Sequence, residues 1–147
     1  MSDSSALIGA WRLERFVFTD GEGGEEHFPL GEAPRGFVTV TPDHYLSLSF
    51  MAGERESFAE NDVLGGSLAE RDAAASSYVS FGGPCRIDGD EVVVEVVSAF
   101  HPNWAGSTQR RRFALDGDTL TLMTLAPITV RGRDLMGRAE LTRAATA

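Results

Sequence analysis

The chain has 147 residues and a mass of 15.8 kDa, which is the size of one domain with a single hydrophobic core. Its 13 basic and 22 acidic residues give a net charge of −9, which repels nucleic acids and anionic lipid surfaces. All the basic residues are arginines, so lysine-dependent chemistry such as Schiff-base formation, and a phosphate-binding P-loop, are excluded.

The first half of the chain combines strand patterns with two irregular segments. Leu46, Leu48 and Phe50 alternate with serines, which is typical of a strand with one apolar face. Residues 21–35 and 52–66 lack such periodicity, and the second of these is long enough to be a lid over a binding site. Ser67, with Glu70 three residues later, forms a capping box that predicts one short helix over residues 68–76.

The second half of the chain consists of apolar runs separated by turn signals. Asp88-Gly89 and Asp116-Gly117 are dipeptides typical of tight hairpins. Across the whole chain the predicted strands span residues 10–19, 36–41, 45–51, 78–88, 91–100, 107–115, 119–125 and 135–143. Eight antiparallel strands in sequential order predict an all-β, up-and-down barrel closed by pairing of the last strand with the first, as a single domain over residues 1–147. A two-sheet sandwich is the alternative.

No motif in the sequence indicates a cofactor, a metal or a secretion signal. The histidines lack the spacing of metal ligands, and Cys85 is the only cysteine, so we expect no cofactor, no metal site and no intramolecular disulfide. The short polar N-terminus and the lack of a long apolar run predict a cytoplasmic protein without membrane contact.

Four ordered motifs resemble those of a known family. They are the Gly-x-Trp at residues 9–11, the hairpin over 36–45 with its Thr-Pro-Asp turn, Pro-Asn-Trp-Ala-Gly at 102–106, and the run over 111–122. Together they resemble the small bacterial and fungal lipocalin-like domain family of calycin barrels, over residues 5–143. The resemblance implies a barrel whose cavity holds an apolar small molecule. It also implies an association with natural-product pathways, in which such barrels include carriers and cofactor-free isomerases or cyclases.

Alternation along the strands predicts which side chains face the interior. In the strand over 107–115, Arg111 shares the apolar face, whereas Arg110 and Arg112 face water. Outward Val93 and Val97 suggest a contact in a homodimer. The residues expected to contact a ligand are Leu48, Phe50, Phe81, Cys85, Val94, Val96, Ser98, Trp104, Phe113 and Leu122.

Three side chains are candidates for chemistry. Arg111 could anchor a ligand oxygen, because a guanidinium on an apolar face requires a partner. The alternative is a structural role, in a salt bridge or stacked on Trp11; the resemblance makes Arg138 and Arg143 competitors for that stack. His101 is the best-placed general acid or base, with an exposed loop histidine as the alternative.

Glu95 is the third candidate, since relatives often place a histidine at or beside this position. Its place in the alternation points it outward, and only a bulge would turn it inward as a general base.

These features lead to three hypotheses of function. The first is a protein that binds an apolar, partly oxygenated molecule, polyketide- or terpenoid-like, inside the barrel. The second is a cofactor-free isomerase or cyclase that uses Arg111 with His101 or Glu95 in the same cavity. The third is a solid barrel whose outer surface is functional. Phe58, Val63 and Leu64 of the segment 52–66 are candidates for covering the mouth of a cavity.

Overall fold

Eight long strands follow one another around a closed ring in the computed structural model, which describes residues 4–20 and 24–144. Each strand pairs antiparallel with its neighbours in the chain, and three short strands and one α-helix are added to the ring. The strands are β1 (Gly9–Thr19), β2 (Glu26–His27), β3 (Arg35–Val40), β4 (Tyr45–Met51), β5 (Tyr78–Asp88), β6 (Glu91–Glu95), β7 (Ser98–Ala99), β8 (Thr108–Asp116), β9 (Thr119–Thr124), β10 (Ile128–Val130) and β11 (Arg133–Arg143), and the helix is α1 (Leu68–Ala75).

The first strand closes the ring because it pairs on both of its sides. Trp11 lies opposite Val38 of β3 on one side and opposite Arg143 of β11 on the other. This confirms the predicted eight-stranded lipocalin-like barrel. The pairing with β11 shifts register between Leu13 and Arg15, and this bulge reverses which side chains of β1 face the interior.

The predicted strand over 91–100 is interrupted. β6 ends at Glu95, and the pairing with β5 then shifts by one residue, from Val94 opposite Cys85 to Ser98 opposite Gly82 in the short β7. Gly83 permits this approach, because a Cβ there would collide with the Glu95 carbonyl. This change in the pairing turns the Ser98 side chain to the exposed outer surface, so the prediction that Ser98 faces the interior is wrong.

Val93 was expected to be exposed and is not. It faces outward as predicted, but it lies between Arg86 and Arg110, its direct cross-strand partners, and is 0% exposed. Long arginine side chains cover neighbouring apolar surface with their methylene groups. Val93 therefore cannot contribute to a dimer contact, whereas Val97 is 69% exposed.

The capping box and the helix are confirmed. The Ser67 hydroxyl accepts from the Glu70 amide at 3.1 Å, and the Glu70 carboxylate accepts from the Ser67 amide at 2.9 Å. The second Glu70 oxygen accepts from the Ala59 amide at 2.7 Å and fixes the preceding segment against the helix. No helix in the described parts of the chain is long and apolar enough to span a membrane.

The segment 52–66 does not cover a cavity as predicted. Val63 and Leu64 are 92% and 90% exposed, and no residue of the segment lines the cavity described below. Phe58 instead lies against the backbone of Gly66, where it is only partly buried. The segment 52–66 therefore packs against α1, which follows it in the chain, and not over the cavity.

One end of the barrel is filled and sealed by aromatic and cationic side chains. Trp11 is fully buried, and its indole N–H donates to the Leu7 carbonyl at 3.0 Å. The Arg143 guanidinium lies 4.1 Å from the Trp11 ring centroid and donates to the carbonyls of Ile8 and Ala6, both at 3.0 Å. Arg143 therefore takes the stacking role that was open between Arg111, Arg138 and Arg143.

Replacing Arg143 by alanine should destabilise the barrel. The change removes a cation–π contact and two charge-assisted hydrogen bonds, so the free energy of unfolding should fall by about 2 kcal/mol. Urea denaturation measures it. Arg12→Ala is the control, since its ion pair with Glu14 is exposed and should contribute less than about 0.5 kcal/mol. Equal losses in the two variants would show that Arg143 does not seal this end.

Candidate functional site

The opposite end of the barrel encloses a cavity of about 360 Å³. Its walls are mainly apolar and aromatic, and this volume lies within the range of small-molecule sites. Three segments surround it at the mouth: the loop around Pro29, the C-terminal end of α1, and the β10–β11 hairpin. The main apolar side chains of the wall are Phe16, Leu48, Phe50, Phe81, Trp104 and Leu122.

Arg111 lines this cavity from β8. Alternation places Arg111 on the same face as buried Phe113. Its cross-strand partner on the neighbouring strand β9 is Thr124. The guanidinium carbon lies 5.4 Å from the Phe81 ring centroid and 6.0 Å from that of Trp104. The prediction that Arg111 faces the interior is correct, and it stacks on these two rings rather than on Trp11.

The electrostatic environment of Arg111 is unusual for this protein. Its Nη1 donates to the Gln109 side-chain oxygen at 3.1 Å and to the Arg110 carbonyl at 2.9 Å. Within residues 4–20 and 24–144 no carboxylate lies within 4.0 Å of it, although exposed arginines on either side of it are ion-paired. Burial lowers the pKa of Arg111 to about 10, so the group stays protonated at neutral pH while it is largely removed from water.

Trp104 and His101 line the cavity next to Arg111. Trp104 ends the 3-10 turn Pro102–Trp104 and meets Phe81 edge-on at 5.6 Å between ring centroids. The His101 ring contacts Trp104 in the same manner at 5.5 Å, and His101 remains exposed on its other side. The loop between β7 and β8 therefore places an indole beside the guanidinium and an imidazole beside that indole.

Thr124 adds a hydroxyl group to the cavity wall. It is buried, and its Oγ1 accepts from the Gly137 amide at 2.9 Å while lying 3.9 Å from the Met136 sulfur. The alternation of Leu120 and Leu122 continues to residue 124 and could have identified it. Thr124 and Arg111 are thus neighbouring polar groups on adjacent strands of a wall that is mainly apolar.

Several predicted contact residues lie in the filled half of the barrel instead. These residues belong to the core cluster or pack against it, below the floor of the cavity, and do not line the cavity. They are Cys85, Val94, Val96 and Phe113. Burial raises the pKa of the Cys85 thiol, which keeps it protonated and weakly reactive. Ser98 faces the outer surface and is also absent from the cavity.

Glu95 does not reach the cavity. It is exposed at the end of β6, and its carboxylate accepts from the Thr108 hydroxyl at 2.8 Å on the outside of the barrel. The one-residue register shift against β5 falls after residue 95, so it does not turn Glu95 inward. The structure therefore removes Glu95 from the candidate catalytic groups and retains Arg111 and His101.

Other cavity residues were missed by the sequence analysis. Phe16 and Phe18 face inward because the bulge in β1 shifts the alternation by one residue after Leu13. Ile128 and Thr129 belong to the short β10, which the sequence analysis did not separate from the turn before β11. No periodic signal marks either feature.

Arg131 connects the segments that surround the mouth of the cavity. Arg131, at the tip of the β10–β11 hairpin with a positive φ of 50°, donates from Nη2 to the Pro29 carbonyl at 3.3 Å and to the Ser76 carbonyl at 3.0 Å. These carbonyls belong to the two other segments that surround the mouth. Arg131 thus connects all three and lines the entrance.

The fold and the cavity define a lipocalin-type barrel. A model of the lipocalin-like domain matches residues 8–143, and the chain belongs to this family. A lipocalin-like protein from Bacteroides uniformis is similar in structure, with 13% identity, a TM-score of 0.46, and coverage of 94% of this chain and 98% of that one. An uncharacterized protein from Bacteroides eggerthii shows 12% identity, a TM-score of 0.42, and coverage of 94% and 99%. No curated protein matches the chain.

Replacing Arg111 by methionine should stabilise the empty protein. Methionine fills similar space without a buried charge, so the free energy of unfolding should rise by about 1 kcal/mol despite the loss of two hydrogen bonds. Thermal and urea denaturation measure the change. Arg112→Met, which removes only an exposed ion pair with Asp90, should differ from the parent by less than about 0.5 kcal/mol. A marked loss of stability in Arg111→Met would instead indicate that Arg111 is structural.

Proposed function

We propose that this protein binds an apolar, partly oxygenated small molecule in the open half of the barrel. The observation that carries the proposal is a largely buried guanidinium that has no carboxylate within 4.0 Å among the described residues and faces a cavity of about 360 Å³ with mainly apolar walls. Apolar burial would supply most of the affinity, and Arg111 would orient the ligand through an ionised or strongly polar oxygen. A polyketide- or terpenoid-like skeleton suits such walls, and cytoplasmic residence, with Cys85 reduced, is part of the proposal.

The position of Arg111 favours binding of a ligand that carries an acidic oxygen. Removing the guanidinium from water has a free-energy cost that hydrogen bonds to one amide and one carbonyl offset only in part. An anionic group on the ligand would offset the remainder through a charge-assisted hydrogen bond, strengthened by the low polarity of the walls. Thr124, opposite Arg111, could donate a second hydrogen bond to the same group.

Matched probes test the role of Arg111. Geranic acid and geraniol share one ten-carbon terpenoid skeleton and differ in the carboxylate, so calorimetric titration separates the apolar contribution from the ionic one. The acid should bind at least about tenfold more tightly than the alcohol, because a hydrogen bond to a charged group contributes roughly 1.5–3 kcal/mol. Arg111→Met should remove this preference and retain binding of the alcohol.

Two results would count against the proposal. If neither probe binds and native mass spectrometry of the purified protein detects no retained small molecule, the cavity is not a binding site. If Arg111→Met retains the preference for the acid, another group recognises the oxygen. Arg112→Met is the matched control, because it removes a guanidinium from the outer surface and should leave both affinities unchanged.

A cofactor-free isomerase or cyclase is the second candidate, favoured by the position of His101. Its ring and the Arg111 guanidinium both contact Trp104, so a proton-transfer group and a group that polarises oxygen border the same space. In such an enzyme Arg111 would stabilise an enolate oxygen, and His101 would move a proton on the adjacent carbon. The walls would hold the substrate in a reactive conformation.

His101→Phe distinguishes the enzyme from the binding protein. The phenyl ring preserves the aromatic contact with Trp104 and removes the proton acceptor. If the protein is an enzyme, deuterium exchange into the molecule identified by mass spectrometry, followed in D₂O, should fall at least about 100-fold, while binding changes by less than threefold. Exchange at the parent rate in His101→Phe would exclude His101 as the acid or base. His44→Phe, in a turn outside the cavity, is the control.

A further inference from the structure

The outer surface of the barrel is charged on one side and uncharged on the other. Outward arginines of β8 and β11 form ion pairs, such as Arg110 with Glu91 of β6 at 2.9 Å and Arg138 with Glu140 at 3.0 Å. The outward residues of β3 from Gly36 to Val40, of β4, and of β5 from Tyr78 to Pro84 differ, because none of them carries a charge. We call this region the uncharged face; it consists of Phe37, Thr39, Tyr45, Ser47, Ser49, Ser80, Gly82, Val97 and Ser98.

The uncharged face contains both a groove and projecting side chains. The groove has a volume of about 490 Å³, and none of the described residues that line it is charged. Its floor is formed by Ser47 opposite Gly82, and by neighbouring serines. Phe37 and Tyr45 project beside it and are 47% and 51% exposed, and Val97 borders its other side.

We propose that the uncharged face is where two copies of this chain associate. Each copy carries a net charge of −9, so contact through the remaining surface would bring like charges together or remove ion pairs from water. The uncharged face avoids both costs. A two-fold axis would place the projecting Phe37 and Tyr45 of each copy against the groove of the other, as a self-complementary contact requires.

The size of the face indicates that the dimer is weak. Four strands about 4.8 Å apart and roughly six residues of about 3.3 Å rise give a patch of roughly 15 by 20 Å. Stable complexes bury about 800 Å² of accessible surface on each partner, which is more than such a patch supplies. We expect a dissociation constant on the order of 10–100 μM. The cavity mouth lies at the end of the barrel, so association leaves it open.

Sedimentation velocity from about 1 to 500 μM tests the proposal on the full chain. The parent should shift from monomer to dimer over this range. Ser47→Glu places a charge on the groove floor, where the two-fold axis would bring it near its own copy, and should weaken association at least tenfold. Ala114→Glu adds the same charge on the exposed outer face of β8 and should leave association within threefold of the parent. Both positions are on the surface, and circular dichroism confirms that the variants fold.

Salt dependence provides an independent measurement. Raising the salt concentration from about 0.05 to 0.5 M screens the repulsion between the two negative copies, so association through an uncharged face should become tighter. Association that weakens with salt would mean that ion pairs carry it, and the proposal would be wrong. A parent that remains monomeric at all concentrations, or equal effects of Ser47→Glu and Ala114→Glu, would also overturn it. None of these outcomes bears on ligand binding in the cavity.

Discussion

The pairing of β1 with β11 is the constraint on which the rest of the molecule depends. It joins the two ends of the described chain along most of both strands and converts a meander into a ring. A ring of eight strands has an interior just wide enough to be filled by side chains or to hold one small ligand. This barrel does both, since Trp11 and its neighbours fill one half and the other half is open. The bulge in β1 lies between the two halves, because the alternation of inward-facing side chains shifts by one residue after Leu13.

The two halves use arginine in different ways. Arg143 at the filled end lies 4.1 Å from the Trp11 ring centroid, donates to two backbone carbonyls and lies 3.7 Å from the Asp118 carboxylate, so its charge has a partner of opposite sign. Arg111 in the open half lies farther from its aromatic neighbours and has two acceptors, neither of which carries a charge. The first arrangement is typical of a group that stabilises the fold. The second leaves a free-energy cost that only a bound partner would offset.

Much of the architecture followed from local patterns in the sequence. Alternation in β4 and β8 correctly placed Phe50 and Arg111 inside, and the Asp-Gly dipeptides located two hairpins. These features depend on residues within one or two positions of each other, so the sequence displays them directly. The capping box at Ser67 succeeded for the same reason.

The errors occurred where distant segments decide the geometry. Glu95 and Ser98 belong to one apparent strand, but the chain shifts its register against β5 by one residue between them, where Gly83 permits a close approach. The inward turn of Phe16 depends on the register of β1 against β11, and the mouth depends on Arg131 reaching carbonyls 55 and 102 residues away. No periodicity records such contacts, because they arise from pairing across the ring. As a result, the sequence identified the guanidinium in the cavity but only part of the wall that surrounds it.

The distribution of charge connects the cavity with the exterior. A barrel with a net charge of −9 presents a negative field to an anionic ligand, so recognition of such a ligand requires a local positive group at the entrance as well as within. Arg131 provides it at the mouth and, like Arg111, has no carboxylate within 4.0 Å among the described residues, whereas Arg133 next to it on the hairpin is paired with Asp20. An acidic ligand would therefore pass one uncompensated guanidinium before reaching the second. Under the proposed function, this arrangement would favour entry of an acidic ligand against the overall negative field of the protein.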